Sequence, residues 1–200
     1  FEEGLGAWRR WQLLNVRYVL SERDLDGPGL ERVYEEGEVK VYRVGDPLPR
    51  AWVVHQVVRA ADSEALAILD DEAFDPRQVA VVPDAGAGPA LAGGPAGSAA
   101  RVVEARPGRL VVEVAPGGDG LLVVSQPFYP GWQARVDGRP ASIVRADYLL
   151  QGVPVDGESR RVELTYRMPT WPALASLATL LAAAAAALAL GRGRGRRAEG

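Results

Sequence analysis

Between Pro172 and Leu190 the chain carries no charge, and apart from Pro172, Ser176 and Thr179 it is built only of Leu and Ala. About 20 such residues at a helical rise match the hydrocarbon core of a bilayer, ~30 Å thick. The run gives way at Gly191 to Arg192, Arg194, Arg196 and Arg197, and basic residues mark the cytoplasmic side of a span. The expectation is one transmembrane helix over 171–190, a basic cytoplasmic tail over 191–200, and residues 1–170 outside the cytoplasm. Trp171 then falls where an interfacial indole sits, and the four arginines hold the far interface. The alternative is an Ala-rich core helix, although a soluble helix of this length normally carries a polar face.

Charge follows the same division. The formal balance of the 200 residues is −3; the tail beyond Leu190 holds four Arg and one Glu, so the remainder has 19 basic and 25 acidic residues, a balance of −6. An acidic domain lacks the basic face that nucleic acid requires, so no nucleic-acid partner is expected. There is no cysteine, which excludes a disulfide scaffold and a thiolate zinc site. The chain starts at Phe1 with no signal-peptide pattern. An outer domain needs an upstream segment to carry it across, so the chain is expected to be the C-terminal piece of a longer, multi-pass protein. Its partners would be the lipid bilayer and the upstream spans.

The first stretch, Glu2 to Asn15, spaces Leu5, Trp8, Trp11 and Leu14 by three residues, a helical stripe. Strands are predicted over Val16–Leu20, Leu30–Tyr34, Val39–Val44, Ala51–Val58 and Val79–Val82, with a short helix from Glu64 to about Asp71. Residues 1–83 therefore read as a small α+β domain. From 84 to 100 Ala, Gly and Pro dominate, a composition that buries little and predicts a linker. Residues 101–169 contain seven short strand candidates separated by Pro-Gly and Asp-Gly turns, the pattern of an antiparallel β-sandwich. Asp137-Gly138 predicts a tight hairpin, because a two-residue type I′ turn needs positive φ at both positions. The fold class expected is a small α+β N-terminal domain, then an all-β antiparallel sandwich, then one C-terminal transmembrane helix.

The segment Phe128-Tyr129-Pro130-Gly131-Trp132 is the most distinctive local text. Aromatics around a Pro-Gly turn can stack on the apolar face of a sugar, which makes Tyr129 and Trp132 candidate glycan contacts. The plainer reading is that both rings anchor the sandwich core. Asp147 and Tyr148 are further candidate contacts, or else a strand-entry turn. His55 is the only histidine, so neither a histidine metal cluster nor an imidazole relay can form. Asp70, Asp71, Glu72 and Asp75 read as a solvated face. No Gly-rich phosphate loop follows a strand. No catalytic, cofactor-binding or metal residue is assigned, and no cofactor is expected.

Several segments resemble a known family. Asn15-Val16-Arg17-Tyr18-Val19-Leu20, Val39-Lys40-Val41-Tyr42-Arg43 and Leu48-Pro49-Arg50-Ala51 resemble the final external domain of YfhO-type bacterial membrane proteins. Similar again are Phe128-Tyr129-Pro130-Gly131-Trp132, Val136-Asp137-Gly138, Arg145-Ala146-Asp147-Tyr148 and Val162-Glu163-Leu164-Thr165-Tyr166-Arg167-Met168-Pro169. The resemblance implies a multi-pass protein of the bacterial cell membrane, similar to glycosyltransferases that use polyprenyl-phosphate sugars and linked to cell-envelope glycan assembly. It also implies a lipid-linked sugar or envelope glycan as partner. The catalytic acid of such enzymes lies near their first spans, so none is carried over here. An anchored, non-catalytic carbohydrate-binding or structural module is the alternative.

Overall fold

The computed structural model describes residues 6–27, 29–84, 91, 99–115 and 117–167, with side chains from Arg9 onward. Trp171, Arg192, Arg194, Arg196, Arg197 and the span expected over 171–190 lie outside the described residues, as does most of the linker expected over 84–100.

The expected fold class does not hold. Among the described residues the chain is mostly β-sheet, with two short helices, α1 (Gly6–Leu13) and α2 (Asp62–Asp70), and no helix long and apolar enough to cross a membrane. The described residues of the expected N-terminal α+β domain fall in one compact unit with those that follow, up to Tyr166.

The reason lies in one strand. The predicted strand Ala51–Val58 breaks at His55 into β4 (Ala51–Val54) and β5 (Gln56–Ala60), which enter different sheets. β4 is an edge strand of a four-stranded sheet whose other members come from the second half: β12 (Val144–Ala146), β13 (Leu150–Val155) and β9 (Gly120–Pro127), in the order β12-β13-β9-β4. Ala51, Trp52, Val53 and Val54 pair with Val124, Val123, Leu122 and Leu121.

Both faces of this sheet are covered. Leu121, Leu122, Val123 and Val124 are fully buried, and the uninterrupted apolar runs of β4 and β9 suit strands buried on two sides. On one side Ala51, Val53, Leu122, Val124, Val153 and Val155 pack against Leu110, Val112, Val114, Ala134, Val162 and Leu164. The latter come from a five-stranded sheet ordered β11-β10-β14-β8-β7: Arg139–Ala141, Trp132–Val136, Arg161–Tyr166, Arg109–Val114 and Ala100–Arg106. This is the antiparallel sandwich, and its outer sheet keeps the period-two pattern of a half-buried sheet, with Val162 and Leu164 inside and Arg161 outside.

On the other side Trp52, Val54, Leu121, Val123 and Leu150 pack against Leu13, Leu48, Ala65, Leu69, Ala80, Val81 and Val82. This third layer contains α1, α2 and the parallel pair of β5 with β6 (Val79–Pro83). In α1 it is Leu13 that is buried, while Leu14 of the expected stripe is exposed. Arg9 donates to the Asp71, Glu72 and Phe74 carbonyls and Arg10 pairs with Asp70, joining α1 to the end of α2. A three-stranded sheet, β1 (Tyr18–Ser21), β3 (Val39–Val44) and β2 (Leu30–Glu36), completes the unit.

Candidate functional site

β9 ends at Pro127 and β10 begins at Trp132, so the aromatic Pro-Gly segment is the loop between two strands in different sheets. Gly131 has φ 105°, a conformation open to glycine and strained for other residues. The turn brings the Trp132 N–H within 3.5 Å of the Tyr129 carbonyl.

β10 pairs with β14 so that Trp132 lies opposite Tyr166. Their rings sit 5.6 Å apart at 56°, and Tyr129 reaches the same Tyr166 ring at 6.4 Å and 39°. These separations fall within the range of favourable tilted aromatic pairs. Trp132 is half-buried and packs on the sandwich core, whereas Tyr129 is 61% exposed. The two candidates therefore differ: one ring anchors, the other is presented. Beside them lies a cleft of about 450 Å³ whose walls include Phe128, Gln133, Arg135, Pro140 and Ile143. The Arg135 guanidinium donates to the Gly138 carbonyl at 2.8 Å, which holds it along the hairpin.

Asp147 and Tyr148 do not line this cleft. They occupy the turn between β12 and β13, with φ of 46° and 71°, unusual values for non-glycine residues. Asp147 is buried; its Oδ1 accepts the Val81 N–H at 2.8 Å and its own N–H donates to the Val81 carbonyl at 2.8 Å. Burial pushes its carboxyl up to about 7 against the opposing effect of the Val81 N–H, and Oδ2 has no partner among the described residues. Asp147 thus clasps β6. Tyr148 is half-exposed, and the adjacent Leu149 carbonyl accepts the Phe128 N–H at 2.6 Å. The turn accordingly abuts the aromatic loop by its backbone.

The remaining sequence candidates have structural partners. The His55 Nδ1 lies 2.9 Å from the Asp119 carbonyl and the ring is buried. Asp70 pairs with Arg10, Asp71 accepts the Ala73 N–H, and Asp75 accepts from Arg77 and Gln78. Among the described residues no three His, Asp or Glu side chains converge on a metal position. Tyr166, the ring that joins the aromatic group, was not singled out from sequence. Its contacts depend on β10 pairing with a strand some thirty residues later, and only its place at the end of an alternating strand was visible.

No family model matches the chain, and no curated protein matches it. Among solved structures it is similar to cryo-EM structures of the arabinofuranosyltransferase AftD from Mycobacteria. One, a mutant, shows 28% identity and a TM-score of 0.33 over 36% of this chain and 6% of that chain. The other shows 29% identity and a TM-score of 0.31 over 37% of this chain and 6% of that one. The chain therefore spans only a small part of the length of the structures it matches.

Proposed function

We propose that the chain is an extracytoplasmic module of a YfhO-like bacterial membrane protein, acting in cell-envelope glycan assembly, and that its sandwich contacts the glycan. The observation that carries this reading is the exposed Tyr129 ring, held against the same Tyr166 ring that packs on Trp132, in the wall of a cleft. A sugar has an apolar face of axial C–H groups and a rim of hydroxyls. A presented aromatic ring meets the first, and the Gln133 amide and Arg135 guanidinium on the cleft wall are donors for the second. The module's role in this reading is to hold an acceptor or a lipid-linked sugar, with transfer chemistry supplied elsewhere in the longer protein.

The test is binding of the full chain, in detergent micelles, to an array of bacterial envelope oligosaccharides. The wild-type chain should retain at least one oligosaccharide, and Tyr129→Ala should weaken that binding about tenfold, the equivalent of ~1.4 kcal/mol. Circular dichroism should be unchanged, since the ring is on the surface. Failure of every oligosaccharide to bind, or equal binding by the variant, would overturn the reading.

A further inference from the structure

At the end of the sandwich where β14 runs out, apolar side chains and arginines share one surface. The β9–β10 loop presents Phe128, 43% exposed, beside Tyr129; the β12–β13 turn presents Tyr148 and Leu149, 37% and 38% exposed. The Phe128 N–H bond to the Leu149 carbonyl ties these loops together, and Pro127 faces Leu150 at their base. Scattered exposed apolar residues need no explanation, but four on two linked loops form a patch.

The flanks are basic. The Tyr166 N–H donates to the Gly108 carbonyl at 2.8 Å, which places the β7–β8 turn, with Arg106 and Arg109, at this end. Arg50 stands before β4 with its guanidinium on Gln126. Glu104 pairs with Arg106 at 3.4 Å and Arg109 at 3.3 Å, and Glu163 lies 3.2 Å from Arg109. At the opposite end the loops carry Asp119, Asp137, Asp156 and Glu158 around a cleft of about 700 Å³.

We propose that the Phe128–Leu149 end is a lipid-contact surface. Phe128, Tyr129, Tyr148 and Leu149 seat in the headgroup layer of an anionic bilayer, and Arg50 and Arg106 meet its phosphates. Tyrosine suits that layer because its ring is apolar and its hydroxyl wet. Basic side chains are drawn to anionic leaflets, and Asp119, Asp137, Asp156 and Glu158 are at the far end. This goes beyond the glycan reading, sharing only Phe128 and Tyr129 with the cleft, and needs no sugar.

The chain has no cysteine, so single-cysteine variants of the full chain report cleanly. Phe128→Cys, Leu149→Cys and, at the far end, Glu158→Cys are labelled with bimane and reconstituted in vesicles of phosphatidylcholine with phosphatidylglycerol containing headgroup nitroxide lipid. Quenching at positions 128 and 149 should exceed that at 158 several-fold, and adding Arg50→Gln with Arg106→Gln should shrink the difference. Near-UV circular dichroism verifies folding, and position 149, on a surface turn, stands in if the Phe128 variant unfolds. Equal quenching at 149 and 158 would overturn the proposal.

Discussion

Asp147 supplies both hydrogen-bond partners of Val81: its N–H donates to the Val81 carbonyl and its Oδ1 accepts the Val81 N–H, each at 2.8 Å. One turn residue thereby takes the place of a neighbouring strand along β6 and locks the third layer to the sandwich. The cost is a buried carboxyl whose second oxygen has no partner among the described residues.

That carboxyl makes stability depend on pH with a definite sign. Burial raises its folded value to about 7 from an ordinary value near 3.8, so the folded chain binds more protons than the unfolded one between these limits. The contribution is fully present below pH ~4, falls as pH rises, and is lost by about 4 kcal/mol above pH ~7. Urea unfolding from pH 4 to 8 should show this decline in the wild type and its loss in Asp147→Asn, which keeps the Oδ1 acceptor and tolerates positive φ. Identical pH slopes in the two proteins would contradict it.

The aromatic loop should separate into an anchoring and a presented ring. Trp132→Ala removes a half-buried indole from the sandwich core and is expected to cost about 2–3 kcal/mol, somewhat less than a fully buried tryptophan. Tyr129→Ala, at an exposed position, should stay within about 0.5 kcal/mol of wild type. Chemical denaturation of the two variants checks the difference.

Gly120 opens β9 beside the end of β4 with no room for a side chain. A Cβ there would lie 2.7 Å from Val53 Cγ1 and 3.0 Å from the Val54 carbonyl oxygen. Because the second contact is backbone, Gly120→Ala has to spread the two strands and should destabilise by about 1–3 kcal/mol. A shift of the thermal midpoint by several degrees is the measurement.

Asp137 joins the β10–β11 hairpin to the start of β14. Its Oδ1 accepts the Arg161 N–H at 2.8 Å and its Oδ2 the Arg160 N–H at 3.1 Å. Asp137→Ala should cost about 2 kcal/mol, from two lost charge-assisted bonds and a φ of 47° that alanine adopts poorly. Asp137→Asn should recover much of that loss in the same unfolding assay.

Local features of the fold were legible where the chemistry is local. Asp137 and Gly138 do take positive φ, 47° and 81°, and close the hairpin predicted from the dipeptide. Val162 and Leu164 alternate with Arg161, Glu163 and Thr165, and that period-two pattern is legible as a strand with one buried face, which β14 is. What sequence hid was long-range. The run Ala51–Val54 has no alternation, which signals burial on two faces but not which strand lies beside it; its partner is some seventy residues later. The same blindness concealed Tyr166 as the ring beneath Tyr129, and Asp147 as a partner of Val81 rather than a surface group. The Asp147-Tyr148 pair gave no warning of positive φ, because neither residue is glycine.

The most direct test of the central claim is saturation-transfer NMR of an envelope oligosaccharide in the presence of the full chain, comparing wild type with Tyr129→Ala. The account predicts strong transfer to the ring C–H protons of the sugar in the wild type and its near loss in the variant, at unchanged circular dichroism. Transfer that is absent from the wild type, or undiminished in the variant, would contradict it.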